Sequence, residues 1–139
     1  MTMRRITYAM LLIANCIACY GIGRYGTTLA TAEASETQTM RVTAYCAGKC
    51  CCGKFSDGIT ASGHVIRPGD KFCAAPKSIP FGTMIDIPGY GRVPVLDRGG
   101  AITEGRLDLY FDDADGKTGH QRALEWGVKK LEVKIVRKP

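Results

Sequence analysis

The chain has 139 residues, a length that suits one domain. Lys and Arg outnumber Asp and Glu by 19 to 13, and no basic run is interleaved with aromatics, which argues against a nucleic-acid partner. There is no internal repeat at a solenoid period.

The first segment reads as a targeting sequence. Met1 to Thr7 carries Arg4 and Arg5, and an apolar run follows from Tyr8 to Gly23. Small and polar residues come next, TTLATAEASETQ from Thr27 to Gln38, with A-x-A-like sites at Ala30–Ala32 and Ala32–Ala34. A basic start, an apolar middle and such a site describe an export signal. The apolar run is short for a spanning helix, which needs roughly 20 residues. Residues 1–38 are therefore expected to be a signal or anchor segment with its linker, and residues 39–137 the folded domain. Two alternatives remain open. The run could be a buried first helix, or Cys19, which follows Ala18, could carry a lipid as in a bacterial lipoprotein, although Cys16 stands where Leu is expected. On the leading reading the protein is exported to the cell envelope, periplasm or exterior. It touches a membrane only through an uncleaved signal or a lipid anchor, and it acts as a monomer. Three basic residues precede Glu33, where the acids begin, so the remainder keeps a net charge of about +3. That is mild, and it suits a polyanionic matrix such as a bacterial wall among other partners.

Beyond the linker, Met40–Tyr45 alternates and predicts a strand. A cysteine-rich loop follows. Gly58–Gly63 reads as a short strand closed by glycine, and Lys71–Ala75 as another ended by Pro76. Thr83–Ile87, Arg92–Asp97 and Arg106–Phe111 are further strands, separated by Gly- and Pro-bearing turns. Thr118-Gly-His-Gln121 has capping-box spacing and starts one helix, with Ala123, Leu124 and Trp126 as its apolar patch and Gly127 as its stop. The last strand, Val128–Val136, sets Leu131, Val133 and Ile135 opposite Lys130, Glu132 and Lys134. Short strands at close spacing with one short helix point to an all-β fold, a small closed barrel. Asp112–Gly116 resembles a calcium loop only superficially. With Gly116 at loop position 6, Phe111 falls at position 1 and Arg122 at 12, so an EF-hand is excluded and a turn leading to the helix is expected.

Five cysteines follow the signal: Cys46, Cys50, Cys51, Cys52 and Cys73. In a small exported domain they are disulfide candidates, with Cys73 as one partner of the cluster and the pairing open. The number is odd, so at least one thiol is left free or pairs between chains. A zinc site is the rival, because four thiolates can enclose zinc, but two spaced pairs are absent. A catalytic thiol has little support, since only His64 lies near the cluster in sequence and nothing marks it as a base. Neither a metal nor a cofactor is expected.

Asp97 and Asp108 stand inside otherwise apolar runs. Alternation puts Leu107, Leu109 and Phe111 on one face of their strand and Arg106, Asp108 and Tyr110 on the other. Gly99, Gly100 and Gly105 let the chain turn and leave open space. If the two strands pair or cross, the acids approach, and charge on one raises the pKa of the other. One acid could then stay protonated near neutral pH and protonate a glycosidic oxygen. The plainer reading is that both acids cap loops or pair with Arg98 and Arg106.

Ile79–Thr83, Ile87–Gly91, Val95-Leu-Asp-Arg-Gly-Gly-Ala-Ile102, Gly105–Phe111 and Ala123–Gly127, with Val42–Tyr45 and Gly58–Gly63 upstream, resemble the 3D family, named for three aspartates. Its members are bacterial wall-active proteins related to the catalytic domain of membrane-bound lytic transglycosylase A. The resemblance covers roughly residues 40–136 and includes the eleven-residue step from Asp97 to Asp108. It implies a double-psi β-barrel acting on the glycan strands of peptidoglycan. The implied reaction is cleavage between N-acetylmuramic acid and N-acetylglucosamine to a 1,6-anhydro product. By position Asp108 matches the catalytic acid and Asp97 the supporting aspartate. The first aspartate of the family is replaced by Ala75. Thr60, Ser62 and Lys77 are candidates for the substrate groove, against turn hydrogen bonding for the first two and a solvated charge for Lys77. The second reading is a non-catalytic glycan- or wall-binding module, which Ala75 favours. The third is a metal-sensing or redox protein built around the cysteines.

Overall fold

The structure, a computed structural model, describes residues 34–137. The export-signal and lipid-anchor readings of residues 1–33 lie outside the described residues. Six strands close a barrel: β1 (Ala34–Tyr45), β2 (Cys73–Ala74), β3 (Met84–Ile87), β4 (Gly91–Asp97), β5 (Arg106–Tyr110) and β6 (Lys129–Arg137). Two helices accompany them, α1 (Lys49–Cys52), continued by a 3-10 turn at Gly53–Phe55, and α2 (Gly119–Trp126). Among the described residues no helix is long and apolar enough to cross a membrane.

Around the barrel the order is β1-β5-β2-β4-β3-β6. Exchanging β1 with β4, β2 with β5 and β3 with β6 returns the same order. It also returns the same directions, because β1–β5 and β2–β4 are the parallel pairs and the others are antiparallel. This internal two-fold relation, with two interlocked parallel pairs, is the double-psi arrangement. Alternation fills the interior: Val42, Ile85, Val93, Val95, Leu107, Leu109, Val133 and Ile135 are buried. On β6 the intervening Lys130, Glu132 and Lys134 are exposed, as a half-buried strand requires.

α2 begins where its capping residues predict. The Thr118 hydroxyl accepts the Gln121 N–H at 3.2 Å, and the Gln121 side chain accepts the Thr118 N–H at 2.9 Å. Gly127 ends the helix with φ 68°, a conformation that favours glycine. The segment Asp112–Gly116 is the expected turn, and the Asp113 carboxylate accepts the N–H of Gly119 at the helix start.

Three elements differ from expectation. β1 starts at Ala34 instead of Met40, so Ala34–Gln38, read as linker, pairs with β6 from Arg137 to Val133. Gly58–Gly63 is not a strand. Gly58 and Gly63 take φ values of 75° and 85°, and the segment folds into a loop closed by the single bridge Ile59–Val65. The second short helix, α1, arises inside the cysteine loop, where Cys51 and Cys52 N–H groups both donate to the Gly48 carbonyl.

Candidate functional site

The ends of β4 and β5 frame a cleft of about 700 Å³. Register explains its acids. Ala74 on β2 pairs with Asp97 of β4 on one side and Asp108 of β5 on the other. The two acids are thus two strand spacings apart, roughly 10 Å between backbones. The small Ala74 side chain leaves the gap between them open, and all three line the cleft.

Asp97 is fully engaged. One carboxylate oxygen accepts the Ala61 N–H at 2.9 Å and the Arg98 N–H at 2.8 Å. The other accepts the Tyr45 hydroxyl at 2.6 Å. It therefore clasps the loop carrying Thr60 and Ala61 to the barrel. Asp108 is held more lightly, accepting the Thr43 hydroxyl at 2.7 Å. Burial raises the Asp108 pKa above the ordinary carboxylate value, and the negative charge of Asp97 adds to this, while the Thr43 hydrogen bond opposes it. Burial and the hydrogen bond to Asp97 also hold the Tyr45 phenol firmly protonated.

Neither expected arginine pairs with these acids among the described residues. Arg98 donates to the carbonyls of Ala75 at 3.0 Å and Ile79 at 2.7 Å and lies over the Phe81 ring, 4.1 Å from its centroid. Arg106 reaches the Ala101 carbonyl. Ala75, expected from the resemblance to replace the family's first aspartate, is fully buried.

The groove candidates separate. Thr60 lines the cleft, but its hydroxyl lies 3.0 Å from that of Ser62 and accepts the His64 N–H, so it shapes the loop. Ser62 and Lys77 are exposed and do not line the cleft. Sequence reasoning missed Tyr45 and Thr43, which share one face of β1 two residues apart, a spacing that alternation could have flagged. It also missed Phe55, which lines the cleft and is 70% exposed.

The five disulfide candidates are not joined in the structure. All five thiols are free, and no disulfide is formed among the described residues. Cys73 points into the barrel core, its sulfur near the Pro94 carbonyl, which separates it from a cluster lying in the loop after β1. Burial pushes its thiol up to about 12. In the cluster, Cys46 Sγ lies 3.4 Å from both Cys50 and Cys51 Sγ. The histidine beside it is not His64, which bonds Asp70 at 2.7 Å, but His120 on α2. Its Nδ1 lies 3.4 Å from Cys50 Sγ and 3.9 Å from Cys51 Sγ. Cys52 turns away to the Cys46 carbonyl.

Residues 72–137 match the family model described as the 3D domain. The cell wall-binding protein YocH of Bacillus subtilis is 35% identical over 107 residues, covering 75% of this chain and 34% of the relative. The putative cell wall shaping protein YabE of the same organism is 28% identical over 107 residues, covering 76% of this chain and 24% of the relative. The chain thus spans about a third or less of the relatives it matches. Among solved structures, an apo expansin of Clavibacter michiganensis aligns with TM-score 0.48 and 24% identity, covering 75% of this chain and 52% of that one. Streptomyces papain inhibitor aligns with TM-score 0.48 and 19% identity, covering 73% and 96%. Residues 72–137 of the chain are a 3D domain.

Proposed function

We propose that the chain binds the glycan strands of the bacterial cell wall in the cleft between β4 and β5, at the cell envelope or outside the cell. The observation that carries this is the pairing of an exposed aromatic with acids in one open groove. Phe55 and Ile59 present apolar surface, Asp97 and Asp108 line the same cleft, and Gly100 leaves open space where a side chain would stand. Sugar rings offer an apolar face and hydroxyl edges, so they match an apolar platform beside hydrogen-bond acceptors. The relative named a cell wall-binding protein supports the same reading.

One observation favours a second reading, a lytic transglycosylase. Asp108 is the acid whose burial favours its protonated form. A protonated Asp108 could give its proton to the glycosidic oxygen, and its carboxylate could then take the proton of the muramic acid 6-hydroxyl as that oxygen closes the anhydro ring. Asp97, bound to Tyr45, would supply fixed negative charge beside it.

Purified peptidoglycan separates the readings. The full chain, Phe55→Ala and Asp108→Asn are each incubated with it, retention is measured by co-sedimentation, and soluble products are read by mass spectrometry. Binding predicts retention of wild type and Asp108→Asn, and about three- to tenfold weaker retention of Phe55→Ala, the worth of one aromatic contact. Anhydro-muropeptides from wild type but not from Asp108→Asn would establish the second reading. Absence of both retention and products would overturn both.

A further inference from the structure

We propose that Cys46, Cys50, Cys51 and His120 bind one zinc ion, which fastens the cysteine loop to α2. Three thiol sulfurs and one imidazole nitrogen lie within 4.8 Å of one another. Four-coordinate zinc holds sulfur at about 2.3 Å and nitrogen at about 2.0–2.1 Å, so its tetrahedron has edges of roughly 3.5–3.8 Å. The sulfur–sulfur separations here are 3.4, 3.4 and 3.9 Å, and the two sulfur–nitrogen separations to Cys50 and Cys51 are 3.4 and 3.9 Å. Five of the six edges thus lie within about 0.4 Å of such a tetrahedron, and the sixth, Cys46 Sγ to His120 Nδ1, is no longer than 4.8 Å.

The local chain is built for this convergence. The Gly48 carbonyl receives the N–H groups of Cys51 and Cys52, which turns the backbone so that consecutive Cys50 and Cys51 both face Cys46. A Cβ on Gly48 would stand 3.3 Å from Cys50 Sγ and 3.4 Å from Cys46 Sγ, so the glycine leaves room for the thiols to close. His120 comes from α2, 70 residues beyond Cys50. A disulfide needs no imidazole. A bond from Cys46 to Cys50 or Cys51 would leave one thiol and His120 converging without purpose. Binding would release three thiol protons to solvent and leave a closed Cys3His site, the pattern of structural zinc, with no open position for water or substrate. The site bears on the cleft, because Cys51 lines it and Phe55 follows three residues after Cys52. The disulfides expected from sequence are thereby replaced by one metal cross-link.

The test uses the full chain purified under reducing conditions without chelator. Zinc per chain is measured by elemental analysis, and the zinc is then exchanged for cobalt(II). The expected result is one zinc per chain, visible absorption of tetrahedral cobalt and a near-ultraviolet thiolate-to-cobalt band. His120→Ala and Cys51→Ser should each weaken zinc more than about tenfold, whereas Cys52→Ser and Cys73→Ser should keep the wild-type cobalt spectrum. Should the ligand variants fail to fold, wild type answers alone, because chelation should lower its melting temperature and expose three additional reactive thiols. Zinc well below one per chain, an octahedral cobalt spectrum, unchanged affinity in His120→Ala, or a native Cys46 disulfide found by mass spectrometry would each overturn the proposal.

Discussion

Asp97 and Asp108 are alike in chemistry and unlike in setting. Asp97 spends both oxygens on Tyr45, Ala61 and Arg98, whereas Asp108 holds one hydrogen bond from Thr43. Tyr45→Phe removes one hydrogen bond and should cost about 1 kcal/mol in urea unfolding. Asp97→Ala strands two backbone N–H groups and a phenol, and should cost about 1–3 kcal/mol and loosen the loop around Ala61, visible as faster amide exchange there. Asp108 predicts a pH effect of definite sign. Its folded pKa is raised, so its favourable contribution is complete below the ordinary carboxylate range and is lost as pH rises through the folded value. Asp108→Asn should therefore melt higher than wild type at neutral pH, and the gap should close near pH 3. A gap that is constant with pH would mean that Asp108 is not held towards its protonated form.

At the scale of the element, α2 depends on its N-cap and its first residue. Thr118→Ala should cost about 1 kcal/mol by removing the cap. Gly119→Ala should cost about 1–3 kcal/mol, because a Cβ there would collide with the Phe111 backbone carbonyl. Thermal denaturation of both variants checks the order. α2 itself was legible because Thr118, Gln121 and Gly127 are local signals. β3, β4, β5 and β6 match their expected bounds to within one residue, since each alternates or is framed by turns. The first half of β1 was not legible. Ser35 to Thr39 is polar throughout, and only the ladder to β6 makes it a strand. α1 is one turn long, shorter than any period can mark. The site divides in the same way. Asp97 and Asp108 stood out as acids in apolar runs, but the approach of His120 to Cys50 is set by how α2 packs, and no spacing in the chain encodes it.

For the whole molecule, stability rests on one small barrel interior. Ile135 is 1% exposed, and Ile135→Ala should cost about 2–5 kcal/mol and leave chemical unfolding cooperative. The barrel order gives β6 a particular place. It pairs with β1 on one side and with β3 on the other, and it is the last strand among the described residues. Until Lys129–Arg137 has been made, β1 and β3 keep open edges and the ring cannot shut. Closure of the ring therefore waits for Lys129–Arg137 to leave the ribosome, however early the other five strands emerge.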